Sequence, residues 1–240
     1  MLYTRSRWFS KFNLYNRRRR AQGLDLLAGL QAHWSLDEAS GTRYDSVQTH
    51  PLTPHGVVLQ GEGKVGSYAA EFIPGTSAYL SCPSATGLQL GGGDFTIAGW
   101  VFFNALLESG LVGKWQTGSL EYLVASNGSE LGLKVSANGA TPTELYTSGG
   151  LESGVWYFFA AWHDTAAGTL NVGLNGQSPS SLSYEAGVYV GDAEFNLGRD
   201  ALAGLCLPGR LDGVSLWNRV LSSGERARLY NAGNGLEYPF

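Results

Sequence analysis

The side chains that could do chemistry here are carboxylates, histidines, serines, thiols and an unusual set of arginines. Catalysis finds little support in their spacing. The nearest acid pairs are Asp37 with Glu38 and Asp192 with Glu194. Both lie among turn-forming residues, whereas general acid–base work on a glycosidic bond needs two carboxylates projecting toward one scissile bond. The four histidines, at 33, 50, 55 and 163, are scattered. His50 and His55 flank a short loop and could touch a metal, but a solvated loop is the simpler reading. No Gly-x-Ser-x-Gly marks a nucleophile, and no phosphate-cradling P-loop is present. The two thiols, Cys82 and Cys206, have no CxxC spacing and no metal-ligating neighbour, and read as buried and free, with pairing between them left open. No enzyme is expected, and no cofactor is required.

The residues that do stand out are at the start. Arg5, Arg7, Lys11, Arg17, Arg18, Arg19 and Arg20 give the first 20 residues seven positive charges and no negative one. The rest of the chain then holds 9 basic and 20 acidic residues, a net of −11 concealed within the overall −4. Such asymmetry points to an arm that meets an acidic partner. Tyr3, Trp8, Phe9, Phe12 and Tyr15 lie between the charges, more aromatic surface than a solvated linker needs. Interleaved basic and aromatic residues also suit single-stranded nucleic acid. That partner ranks lower, because the acidic body repels the same phosphates.

The elements that must carry these residues are strands. The chain has 240 residues, 34 glycines, 7 tryptophans and 15% charged residues. Many turns and many large apolar side chains suit short strands closed by tight connections. Candidates are 31–36, 68–72, 78–82, 95–103, 111–115, 121–125, 131–135, 144–147, 155–163, 170–174, 188–190, 194–197 and 210–217. Asn127-Gly128, Asn138-Gly139 and Asn175-Gly176 are hairpin-type dipeptides. The alternation over 95–103 puts Trp100 and Phe102 on one face, with Ile97 and Val101 on the other. Trp100 and Trp156 are read as structural. Residues 222–231 read as a short helix, capped by Ser222 or Ser223 and ended by Gly233. No apolar run is long enough to span a bilayer, and the first residues lack the apolar stretch of a secretory signal. The pattern predicts an all-β, antiparallel sandwich over 30–240, behind an arm formed by 1–29.

Five segments in order carry a resemblance. They are His33-Trp34-Ser35-Leu36-Asp37-Glu38-Ala39-Ser40-Gly41 with Asp45, then Gly63-Lys64-Val65-Gly66 leading to Ala70-Glu71-Phe72. Next come Phe95-Thr96-Ile97 with Trp100-Val101, and Trp156 to Ala161 with Asp164 and Asn175-Gly176. The last is Gly209 to Val214 with Trp217 to Ser222. Together they resemble the laminin-G-like jelly-roll domain of bacterial and phage proteins, over about 30–236. The resemblance implies a concanavalin A-like β-sandwich. Some enzymes of related fold are glucanases with closely spaced acids on one strand, and no Glu-x-Asp-x-x-Glu occurs here. Asp37, Asp45 and Asp212 match acidic positions of the motif and are candidate Ca²⁺ ligands, since hard cations take carboxylate and carbonyl oxygens. The competing role for them is turn capping.

The arm, which lies outside the match, and the resemblance together point to two functions that can coexist. The first is a non-catalytic structural or adhesion component of a larger assembly, with a phage virion as the context. In it the arm residues Arg5, Arg7, Trp8, Phe9, Lys11, Phe12, Tyr15 and Arg17 to Arg20 dock on capsid or tail subunits, and the sandwich is displayed on the particle exterior. The second is a lectin-like module that recognises a surface glycan, possible stacking residues being Trp115, Trp162, Tyr122 and Tyr146.

Overall fold

The structure is a computed structural model that describes residues 25–47 and 50–240. Two antiparallel sheets face each other. The first has the order β13 (Ser180–Ser183), β12 (Thr169–Leu174), β11 (Trp156–Asp164), β6 (Phe95–Phe103), β17 (Gly209–Trp217), β4 (Tyr68–Phe72) and β3 (Val58–Glu62), with β1 (Leu30–Trp34) also on β17. The second runs β10 (Pro142–Tyr146), β9 (Leu131–Gly139), β8 (Ser119–Asn127), β7 (Glu108–Gln116), β14 (Phe195–Leu197), β5 (Tyr79–Cys82) and β2 (Thr53–His55). A small hairpin of β15 (Arg199–Asp200) and β16 (Leu205–Cys206) packs beside β7. The expected all-β antiparallel sandwich is the observed one.

Alternation explains which residues fill it. On β6, Phe95, Ile97, Val101 and Phe103 point into the core between the sheets, with Phe159 and Leu211 from neighbouring strands. Ala98 and Trp100 point the other way, into a second apolar layer with Phe158, Trp162, Trp217, Leu221, Leu229 and Phe240. That layer is sealed by the helix α1 (Ser223–Tyr230) and the C-terminal tail. The first sheet is therefore apolar on both faces at its centre, which accounts for the near-continuous hydrophobic run of β6 and β11. Trp156 is only half-buried, beside Phe102 at 5.5 Å.

The helix starts with a capping box: the Ser222 hydroxyl accepts from Glu225 N, and the Glu225 carboxylate accepts from Ser222 N. It ends at Asn231, in the left-handed region at φ 48°, two residues before the expected Gly233. The segment 188–190, expected as a strand, is not one. Val188 N donates to Gly91 and Tyr189 N to Ser136, two different segments, so no ladder forms. The strands that sequence patterning passed over are edge or very short elements: β2 contains Pro54, which an edge tolerates, and β13 reads Ser-Ser-Leu-Ser.

Residues 25–29, expected within the arm, pack on the sandwich. Leu26 is buried in the second apolar layer. Trp217 Nε1 donates to the Leu26 carbonyl at 2.8 Å, and Arg219 reaches the Asp25 and Ala28 carbonyls. The remaining arm residues lie outside the described ones.

Candidate functional site

β17 is bordered by β6 along one edge, but two strands share the other. It pairs with β4 over Gly209–Leu211 and with β1 over Val214–Trp217. Between them the register against β6 shifts from Asp212 to Ser215, with Gly213 at φ 54°, a conformation that favours glycine. The sheet forks there, and a cavity of about 510 Å³ opens in the fork. His33, Asp37, Tyr68, Asp212, Glu237 and Tyr238 line it.

Two carboxylates hold the wall of this cavity. Asp212 Oδ2 accepts from Lys64 N at 2.6 Å and Val65 N at 2.8 Å. Asp37 Oδ1 accepts from Ser67 N at 3.2 Å and Tyr68 N at 2.8 Å. The loop between β3 and β4 is thus clamped at both ends, and Tyr68 is carried to the rim with 45% of its surface exposed. Gly66 fits because a Cβ there would lie 3.0 Å from Asp37 Oδ2. The spelling Gly61-x-Gly63-x-x-Gly66 occurs across this loop. It joins two antiparallel strands and opens no helix, so it is no dinucleotide fingerprint.

Asp212 is fully buried, and its Oδ1 has no hydrogen-bond partner. Burial pushes its carboxyl up to about 7, against the pull of the Val65 and Lys64 N–H groups and with help from the Asp37 charge. Across the cavity, burial lowers His33 to about 4, although Asp45 opposes the shift. His33 Nδ1 is bonded to Ser215 Oγ at 2.7 Å, and its ring stacks on Tyr238 at 4.8 Å. The unpaired oxygen at the floor is therefore buried and closed to solvent, and two tyrosines, Tyr68 and Tyr238, provide the faces that line the cavity.

The structure brings Asp37 and Asp212 together and sends Asp45 elsewhere. Asp45 Oδ1 accepts from His33 N and Val47 N, and Oδ2 is bonded to His50 Nδ1 at 2.8 Å. Among the described residues no group of three or more His, Cys, Asp or Glu is placed to hold a metal ion. Calcium takes about six to eight oxygens; Asp37 and Asp212 each commit one carboxylate oxygen to backbone N–H groups of the β3–β4 loop. His50 and His55 do not converge either: His55 is bonded to Ser81 Oγ and stacked on Tyr79.

Three of the four expected stacking residues are closed. Tyr122 is fully buried between the sheets and donates to the Leu88 carbonyl at 2.8 Å. Trp115 is buried with Leu120, Leu123 and Ala125. Trp162 is covered by the Arg226 guanidinium, 3.9 Å from its ring centroid. Tyr146 stays half-exposed, its hydroxyl on Glu144. Tyr68, Glu237 and Tyr238 were not singled out from sequence, and only the Gly-Lys-Val-Gly turn beside Asp37 and Asp212 signalled them. Cys82 is buried and Cys206 half-buried; both are free, and burial pushes the Cys82 thiol up to about 12.

Residues 74–225 match the family pattern described as the concanavalin A-like lectin/glucanases superfamily. The chain belongs to this superfamily. The matched stretch omits β1 to β4, which belong to the same two sheets of this chain and build most of the fork. No curated protein matches the chain. Among solved structures, the binding domain of Paraclostridial Mosquitocidal Protein 1 superposes with a TM-score of 0.70 at 15% identity, over 86% of this chain and 52% of that one. The binding domain of botulinum neurotoxin DC, solved with rat synaptotagmin II, gives 0.66 at 8% identity, over 85% and 52%. The botulinum neurotoxin serotype G binding domain gives 0.65 at 12% identity, over 85% and 51%. This chain spans about half the length of these solved chains, and identities this low establish the shared fold alone. Among the described residues no helix is long and apolar enough to cross a membrane.

Proposed function

We propose that the sandwich is a non-catalytic recognition module that binds a surface glycan in the fork cavity. Residues 1–24 then attach it to a larger assembly, with the exterior of a phage particle as the setting. The observation that carries the glycan reading is a cavity of about 510 Å³ rimmed by the exposed Tyr68 and by Tyr238, with the Asp37 and Glu237 side chains in its lining. A sugar ring lies against tyrosine while its hydroxyls donate to these carboxylates, and Asp212 acts by holding the loop that carries Tyr68. The solved relatives support a recognition role: one is described in complex with SialylT, and a botulinum type C study ties cell entry to two ganglioside molecules. The attachment reading is supported by the seven positive charges and five aromatics of the first 20 residues. Displayed recognition and docking by an arm need no reacting carboxylate pair.

The test is a glycan array followed by titration with the full chain, Asp212→Asn and Tyr68→Ala. Binding that falls by about ten-fold or more in both variants, the loss of one buried hydrogen bond or one stacking contact, supports the site. Array binding unchanged in both variants overturns it.

A further inference from the structure

A second cleft lies on the outer face of the first sheet, between α1 and the loop joining β12 to β13. Its floor is set by a cross-strand pair of small residues, Ala160 opposite Gly173, flanked by Phe158 and Trp162. The missing side-chain volume leaves a hollow of about 270 Å³. A Cβ at Gly173 would meet Pro179 at 3.6 Å, an ordinary contact, and would take up part of the hollow. The rim is polar: Gln177 and Ser178 from the loop, and Ser223 from the helix.

Arg226 closes one side. Its guanidinium lies on the Trp162 ring at 3.9 Å and donates to the Leu221 carbonyl. The nearest carboxylate in sequence is not available to it. Glu225 is taken by both terminal nitrogens of Arg219, at 2.7 and 2.9 Å, and by Ser222. Burial lowers the Arg226 pKa, with Glu225 opposing. A planar guanidinium pinned on a tryptophan, with N–H groups to spare, has the geometry for a bidentate carboxylate.

We propose that this cleft is a second ligand site, selective for a carboxylate-bearing sugar residue, with Arg226 taking the carboxylate. Gln177, Ser178 and Ser223 then meet hydroxyls on the ring, and Phe158 supports its apolar face. The proposal rests on the reading of the sandwich as a glycan-binding module but uses a cavity separate from the fork, so the two fail separately.

The experiment titrates the full chain by calorimetry with four probes: sialyllactose, a disaccharide containing a uronic acid, a sulfated lactose and plain lactose. The variants are Arg226→Lys, which keeps the charge and removes the planar fork, and Ser178→Trp, which fills the cleft from an exposed loop position. Asp212→Asn is the control for the fork, and each variant's melting temperature is checked. The expected result is binding of the two carboxylated probes about ten-fold tighter than lactose or its sulfate, the worth of one charge-assisted bidentate contact. Arg226→Lys and Ser178→Trp should each lose that preference, with Asp212→Asn retaining it. Equal affinity for all four probes, no binding of the carboxylated ones, or a preference that survives both cleft variants overturns the proposal. A preference lost only in Asp212→Asn also overturns it and moves the ligand to the fork.

Discussion

Asp212 and His33 face one cavity with opposite shifts, and their effects on stability oppose each other. Unfolded Asp212 releases its proton near its ordinary 3.8, whereas the folded chain holds it to about 7. Between these values the native state binds more protons, so raising the pH costs stability. His33 behaves in reverse. It takes its proton near 6.5 when unfolded but only at about 4 when folded, so lowering the pH through that window costs stability. The two slopes offset from about pH 4 to 6.5. Asp212→Asn is expected to gain stability relative to the parent chain as pH rises from 4 to 7. His33→Gln is expected to gain relative to it as pH falls from 6.5 to 4. Urea melts across this range check both, and parallel curves for parent and variants would show that neither group shifts on folding. Trp100 is the other residue to test. It is 3% exposed and meets Phe158 at 5.5 Å and Tyr230 at 6.0 Å. Trp100→Ala should cost about 3–5 kcal/mol, seen as a large fall in melting temperature; an unchanged value would mean that α1 and the tail do not seal that face.

At the scale of elements, the entry to β1 belongs to the fold. Leu26 caps Trp217, and Arg219 grips two carbonyls of the same segment. A chain beginning at Asp25 is therefore expected to be more stable than one beginning at Leu30 by about 2–4 kcal/mol, the burial of one leucine plus hydrogen bonds lost. Both should keep their β-sheet circular dichroism, because the core between the sheets does not use residues 25–29. Equal denaturation midpoints for the two would move the boundary back to residue 29. The patterning of β4 and β6 matched their observed bounds, Tyr68–Phe72 and Phe95–Phe103, because both are runs of apolar and aromatic residues bounded by turn-forming ones. β2, β13 and the β15–β16 hairpin carry no such pattern. β13 and the β15–β16 hairpin are placed by pairing with the strand next to them in sequence, and β2 by pairing with β5.

On the scale of the whole molecule, the sandwich and the first 20 residues make separate demands. Charge alone would give a contact that salt screens beyond about 8 Å at physiological strength, while buried aromatic anchors persist and often cost above about 2 kcal/mol when truncated. Deleting residues 1–20 should abolish incorporation into a particle or pull-down with its subunits. Trp8→Ala with Phe12→Ala should weaken it even at low salt. Undiminished incorporation of the deleted chain would remove the support for attachment and leave glycan recognition as the function.

The all-β class and a helix capped at Ser222 or Ser223 were legible in the residues, because period-two alternation, Asn-Gly turns and capping serines are local signals; the contact with Glu225 decided for Ser222. The Asp37 and Asp212 positions were legible too, through the motif they belong to. Their partnership with one loop, and the exclusion of Asp45 from it, came from the fork in β17, where β1 and β4 share one edge of a strand far later in the sequence. The same holds for the aromatics. Sequence offers Tyr122, Trp162 and Tyr68 as equivalent ring faces, and only packing decides that the first lies in the core, the second under Arg226, and the third at the rim of a cavity. Local pattern sets which way a side chain points from its strand. What it meets there depends on the layer that folds over it.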